Sequence, residues 1–452
     1  MSRSIARRTA VKTLAVGLAV GALATVAPAG AAAEESRPPQ QRVDRVYYWN
    51  DVLLDAYREF GGTPGPLTRG GAMLNTAMYD VANSIYGTGK PYLTKAPEAY
   101  KAYGSLNSGL DYAAHRTLTN AFPGVNFDDE LATALALPDG GNTTDRSFGK
   151  FLGTKVANAI IAARTNDGSA DTTPYVGTDA PGYWRPTTPG ASAGGANWGK
   201  VKPWSLQSGS QFRPGVPLGF SSMQDLLASD EYAAQVNEIK AIGGATSTTR
   251  TADQTQIARF WANDVDGTYK PVGQQYEHTM IIQKKLRPTA GSYENSKLMA
   301  LMSITLADAA IAVWESKYHT NLWRPETAIK LGDTDYTDKT VADPDWKPLS
   351  STPAGVHFSP SFPTYASGHS GIAGAWAGLL QNYYGRDDIS FTGTTDDPQA
   401  VGVTRSFASL SAAAQEKADS RMYAGVHFRM DNDVALTQGY QVADYVFANT
   451  LR

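Results

Sequence analysis

The stretch SRMYAGVHFRMD, Ser420 to Asp431, reads as the end of one helix and the approach to the next. Arg421 falls near the end of a helically spaced segment and Gly425 interrupts it. His427 follows in the gap before Asp431 and the last helix. The pentapeptide AGVHF inside this stretch also occurs as Ala354 to Phe358. That earlier copy has Ser351 where an arginine would match Arg421, and it lies in a proline-rich approach to a later turn. Only His427 has Arg421 six residues before it and Asp431 four after.

Working outward, helices are predicted over 411–424 and 432–448. Residues 370–384 place Ile372, Ala375, Trp376, Leu379 and Tyr383 on one face and stop at Gly385. Asn295 to Lys317 does the same with Leu298, Leu301, Met302, Leu306, Ala309 and Val313. Thr251 and Gln254 suit a capping box ahead of Ile257, Phe260 and Trp261. Alternating strands are scarce, so the chain reads as mainly α, with a regular part over 251–452 and a looser helical region over 34–250. In the looser region Met73 to Tyr86 has helical spacing. Asn166 to Gly209 is too rich in glycine and proline for regular elements and is expected to cover or shape a site. Trp-Arg-Pro recurs at 184–186 and 323–325 but, like AGVHF, is too short to mark an internal repeat.

The 452 residues are 42% hydrophobic and 18% charged, enough for one large core or two fused ones. Residues 1–33 read as a signal peptide: Arg3, the Arg7-Arg8 pair of the twin-arginine route and Lys12 precede an apolar run and a small-residue stretch ending at Ala33. Its removal would take the formal charge from -3 to -7, which argues against nucleic acid as a partner. No later segment offers the roughly 20 uninterrupted apolar residues of a spanning helix. With no cysteine in the chain, disulfides, thiol catalysis and thiolate metal sites are excluded. Nor does the chain carry an HExxH zinc pattern, an EF-hand loop or a phosphate-cradling P-loop.

Two further patches join the opening one. In KYHTNLWRP, Pro325 disfavours the α conformation at Arg324, so Lys317 is expected near a helix end and Arg324 in an extended turn, where two cations converge. In ASGHSG, Ser367, Gly368 and His369 come just before a helix, whose free N–H groups and dipole favour an oxyanion. Together the patches supply three cations, a hydroxyl, backbone N–H groups and two imidazoles, which is what a tetrahedral oxyanion asks for.

The order K-x6-RP, SGH, SR-x5-H, met here by Lys317/Arg324/Pro325, Ser367/Gly368/His369 and Ser420/Arg421/His427, resembles the vanadium-dependent haloperoxidase and type 2 acid phosphatase superfamily. The motifs cover residues 317–427. Trp314 and Phe362 make the chain more like the soluble chloroperoxidase branch, in which aromatics line the halide side. Phe260 to Asp264 resembles the family segment whose aspartate pairs with the third-motif arginine, so Asp264 is expected to face Arg421. Ala366 departs from the family, where many members have proline.

The resemblance implies a mostly α fold of two helical bundles with the site in the C-terminal one, over 251–452, and one vanadate per chain. His427 would be ligand to vanadium, or the nucleophile forming phosphohistidine in a phosphatase. His369 would be general acid or base. Arg324 and Arg421 would clamp equatorial oxygens, Lys317 would polarise an oxygen, and Ser367 with the Gly368 N–H would complete the donors. The implied partners are hydrogen peroxide, chloride or bromide, and a small organic substrate. The alternatives are an acid phosphatase on the same pocket and a vanadate-independent repurposed homologue. Asp431 is open between capping the last helix and orienting His427. Trp314 and Phe362 are open between core and site, and His115, His278, His319 and His357 are read as structural or surface.

Overall fold

Glycine, usually a weakness in helices, is what lets the two helices that carry the central motifs approach each other. The computed structural model describes residues 43–97, 104–139 and 141–452, so the signal peptide expected over 1–33 lies outside the described residues. Within them the chain is mainly helical and forms two bundles. The first contains α1 (Arg45–Phe60), α2 (Pro64–Tyr86), α3 (Leu106–Ala121), α4 (Asp128–Ala136) and α5 (Thr143–Arg164). After a long loop come α6 (Met223–Ala228) and α7 (Asp230–Ile242). Then follow α8 (Ala252–Ala262), α9 (Lys270–Leu286), α10 (Ser292–Thr320), the short α11 (Pro325–Lys330), α12 (Gly368–Tyr384), α13 (Leu410–Tyr423) and α14 (Arg429–Asn449). Two three-residue strands, Phe391–Gly393 and Arg405–Phe407, pair antiparallel between α12 and α13.

Capping chemistry sets several of these ends. The Thr251 side chain accepts from the Gln254 N–H at 3.1 Å and Gln254 accepts from the Thr251 N–H at 2.9 Å, which starts α8. Gly385, at φ 71°, ends α12. By contrast α2 begins at Pro64, well before the predicted Met73: proline suits the first helical position, and the glycines of the first turns seat aromatic neighbours. A Cβ on Gly65 would lie 2.4 Å from the Trp198 ring and one on Gly70 2.3 Å from Phe122. The last helix begins at Arg429 with Phe428 as its N-cap residue. Asp431 is therefore not the cap; it sits in the first turn and accepts the Phe428 N–H at 2.9 Å.

The 29-residue α10 is the axis shared by both bundles, packing on α2 on one side and on α12 and α14 on the other. It is the one helix among the described residues long and apolar enough to cross a membrane, yet 94% of that stretch is buried inside the protein. Its buried Asp308 accepts the N–H groups of Trp204, Ser205 and Leu206 at 2.7, 2.7 and 2.9 Å, which pins the end of the 166–209 loop to the helix.

Helices α12 and α14 touch backbone to backbone. A Cβ on Gly439 would fall 2.2 Å from the Gly371 carbonyl oxygen, and one on Gly374 would fall 2.3 Å from that of Leu436. This contact fixes the start of α12, which carries the second motif, against the middle of α14, the helix that follows the third. Gly439→Ala is expected to force the pair apart and to lower stability by about 2–3 kcal/mol, measured by chemical denaturation.

Candidate active site

The three motifs meet because four helix ends do: the end of α10 (Lys317), the turn before α11 (Arg324), the start of α12 (Ser367, Gly368, His369) and the break between α13 and α14 (Arg421, His427). Arg324 has the extended backbone that Pro325 demands, φ -77° and ψ 155°. Gly368, His369, Arg421 and His427 line a cavity of about 310 Å³ together with Asp264, Trp314 and Phe362, while Lys317, Arg324 and Ser367 are fully buried behind its walls. The cavity is not wholly C-terminal, since Thr63, Pro64, Thr188 and Ala191 close its other side. Thr188 and Ala191 belong to the loop predicted to shape a site. Phe358, from the first AGVHF copy, also lines it.

His427 is held from both sides. Its Nε2 lies 3.1 Å from Arg324 Nη1, which can only donate, so in the neutral ring Nε2 carries the lone pair. The proton is then on Nδ1, which lies 3.1 Å from both Asp431 Oδ2 and Thr364 Oγ1. Asp431 thus both closes the first turn of α14 and orients the imidazole, the pattern by which a carboxylate fixes a ligating histidine. Thr364 escaped the sequence reading, for it belongs to no motif and its role comes from a fold across 63 residues.

The cations are anchored by backbone carbonyls. Lys317 Nζ donates to Pro363 O and Thr364 O at 2.9 and 3.0 Å. Arg324 Nε donates to Phe362 O at 2.7 Å and Nη1 to Val426 O at 2.8 Å. Arg421 Nη2 donates to Asp264 Oδ2 at 3.0 Å. What remains is unusual: Arg324 Nη2 and both Nε and Nη1 of Arg421 are buried with no partner. Leaving such charged donors unsatisfied costs several kcal/mol unless an anion accepts them.

Charge crowding tells the same story. Lys317, Arg324 and Arg421, with buried Lys417 one turn before Arg421, outnumber the carboxylates Asp264 and Asp431. Burial, then the neighbouring Arg324, holds Lys317 well below its ordinary value. His427 is pushed down by burial and then by Arg324 and Lys317, and His369 by burial and then by Arg421 and Lys417. A bound anion would offset the repulsion from the neighbouring cations, though not the effect of burial. His369 Nε2 donates to Ala262 O at 3.2 Å with Asp264 Oδ1 3.7 Å away, which leaves Nδ1 of the neutral ring free to take a proton. Lys417 Nζ, unremarked in the motifs, donates to Pro271 O at 2.9 Å beneath the cavity floor.

Trp314 and Phe362 form the apolar wall, their ring centroids 5.0 Å apart. The Phe362 ring centre lies 5.0 Å from Lys317 Nζ and 4.8 Å from Arg324 Cζ. Trp314 Nε1 and Tyr318 OH both donate to Gly194 O, which ties the long loop to this wall. Around Ser367 the chain carries a cis peptide between Tyr365 and Ala366. Of the remaining histidines, His278 is buried among Phe260, Trp261 and Phe391, away from the cavity. No group of three His, Asp or Glu side chains that could hold a metal ion occurs among the described residues. A single histidine set among oxygen-binding cations suits an oxyanion instead.

Residues 297–452 match the family described as the VCPO second helical-bundle domain. The chain is similar to a crystal structure of the first bacterial vanadium-dependent iodoperoxidase, with 25% identity, a TM-score of 0.75, and coverage of 90% of this chain and 96% of that one. It shares the fold of a bacterial vanadium-dependent chloroperoxidase at 17% identity and a TM-score of 0.66. The holo form covers 91% of this chain and 94% of its own, and the apo form 85% and 94%. No curated protein matches the chain.

Proposed function

For a chain that is a member of the vanadium-dependent haloperoxidase family, we propose that it binds one vanadate and uses hydrogen peroxide to oxidise chloride or bromide to a hypohalous species, which then halogenates a small organic substrate. The observation that carries this reading is the set of three buried, unpartnered guanidinium nitrogens on Arg324 and Arg421 beside the Nε2 lone pair of His427. That donor set fits a tetrahedral oxyanion.

His427 would hold the metal through Nε2, while Asp431 and Thr364 keep its other nitrogen protonated. Arg324, Arg421, Lys317, Ser367 and the Gly368 N–H would bind the oxygens. Vanadate supplies Lewis acidity toward peroxide without a change of oxidation state. His369, neutral in its crowded surroundings, takes a proton from the incoming peroxide, and Asp264 and the Ala262 carbonyl hold its ring. Lys317, kept in place by two carbonyls, would supply a further N–H donor to an oxygen of the bound group. Trp314 and Phe362 give that halide a poorly hydrated face. The segment 1–33 supports export by the twin-arginine route.

A phosphatase using the same donors is the second reading, since phosphate and vanadate share geometry and a histidine whose Nε2 carries the lone pair can also serve as a nucleophile. The apolar wall of Trp314 and Phe362 favours the peroxidase. Vanadate-loaded protein is expected to halogenate monochlorodimedone with peroxide and bromide. Phosphate release from a generic ester, with no halogenation at any pH, would replace the reading with the phosphatase.

A further inference from the structure

Beneath the start of α12 a single proton is asked to do two jobs. Ser370 Oγ lies 3.0 Å from Ser367 Oγ and 2.9 Å from Asn432 Oδ1, placed to donate to both. A hydroxyl has one proton to give. Beside it Asn432 Nδ2 is buried with no partner. Ser367 and Ser370 are 0% exposed and Asn432 is 1% exposed, so bulk water does not relieve the conflict.

A half-turn of the Asn432 amide exchanges its oxygen and nitrogen and resolves it. Nδ2 then donates to Ser370 Oγ, which frees the Ser370 proton for Ser367 Oγ. The amide oxygen takes the unpaired position, where a carbonyl is less costly to leave than an N–H. Ser367 is the N-cap residue of α12 but its side chain caps nothing, and it donates to no group among the described residues. With its lone pair occupied from behind, its own proton is the one free to point at the oxyanion. The frame is rigid, because Ser367 N–H donates to Asp431 O at 3.0 Å and α12 meets α14 through Gly371 and Gly439.

We propose that Asn432 and Ser370 are positioning residues that act through Ser367, as a one-way chain from Asn432 Nδ2–H to Ser370 Oγ–H to Ser367 Oγ–H, to hold the Ser367 hydroxyl as a donor to the bound oxyanion. The inference rests on the reading of this pocket as an oxyanion site. Each member of such a chain polarises the next, so the last donor is stronger than an isolated serine. Reversed, with the amide oxygen toward Ser370, the chain would draw the Ser367 proton away from the site.

The test is a double-mutant cycle on the affinity for inorganic phosphate, measured by titration calorimetry on the full protein without vanadate. Ser367→Ala is expected to weaken phosphate about tenfold, as loss of one hydrogen bond to a charged oxygen does. Ser370→Ala is expected to weaken it about fivefold in the parent and not at all in the Ser367→Ala background. Asn432→Leu supplies the same cycle if Ser370→Ala does not fold. If the two losses multiply to about fiftyfold, or if Ser370→Ala and Asn432→Leu leave affinity unchanged, the chain does not exist as described. Failure of the parent protein to bind either phosphate or vanadate would overturn the oxyanion reading itself, and the inference with it.

Discussion

Replacing His427 with alanine is expected to lower peroxide-dependent halide oxidation by about a thousandfold or more, comparable to losing a principal stabilising group, and to release vanadate on dialysis. The expectation follows from how completely the ring is specified. Arg324 fixes Nε2 as the lone-pair atom, and Asp431 with Thr364 fixes Nδ1 as the donor. No other histidine can substitute: His369 faces Ala262 and Asp264 from the other side, and His278 is enclosed by aromatics. Without the ring Arg324 Nη1 keeps the Val426 carbonyl and Asp431 keeps Thr364 and the Phe428 N–H, so the variant should fold, and an unchanged melting curve separates loss of the ligand from loss of the protein.

Arg421→Lys carries the second large effect, about a hundredfold in vanadate and phosphate affinity, although the charge is kept. Arginine here presents one nitrogen to Asp264 and two more whose N–H groups no protein group accepts. Lysine offers a point charge and cannot hold the carboxylate while reaching two oxygens in a fixed plane. Two hydrogen bonds to charged oxygens are each worth about 1.5–3 kcal/mol, of which the retained ammonium recovers part. Equilibrium titration with each anion measures the change. Equal losses for both anions would mark Arg421 as an oxygen clamp.

These two residues also show what could be read from the sequence and what could not. The spacing of Arg421, Gly425 and His427 gives a helix, a break and a histidine, all local facts that dihedral preference dictates. Pro325 fixes the Arg324 turn, and Thr251 with Gln254 fixes the start of α8, by the same kind of local rule. The resemblance of Phe260 to Asp264 to a family segment placed Asp264 by Arg421, where the structure has it. Asp431 stayed open between two readings because an acidic residue serves a helix start equally well as its cap or within its first turn; the chain uses the second and turns the carboxylate toward His427 as well. Thr364, Lys417 and the Ser370 with Asn432 pair were invisible. Their partners lie far along the chain, so no periodicity announces them, although Lys417 does stand one turn before Arg421 on the same helix. The glycines of α2 concealed its first turns, since their reason for being there is an aromatic ring from elsewhere.

The proposed function requires one oxyanion in the pocket between His427 and the three cations. The vanadium content of protein loaded with vanadate and dialysed exhaustively tests this most directly. One vanadium per chain, displaced by excess phosphate and absent from His427→Ala, is the predicted result. Vanadium that is not retained, or is retained equally when His427 is gone, would contradict it.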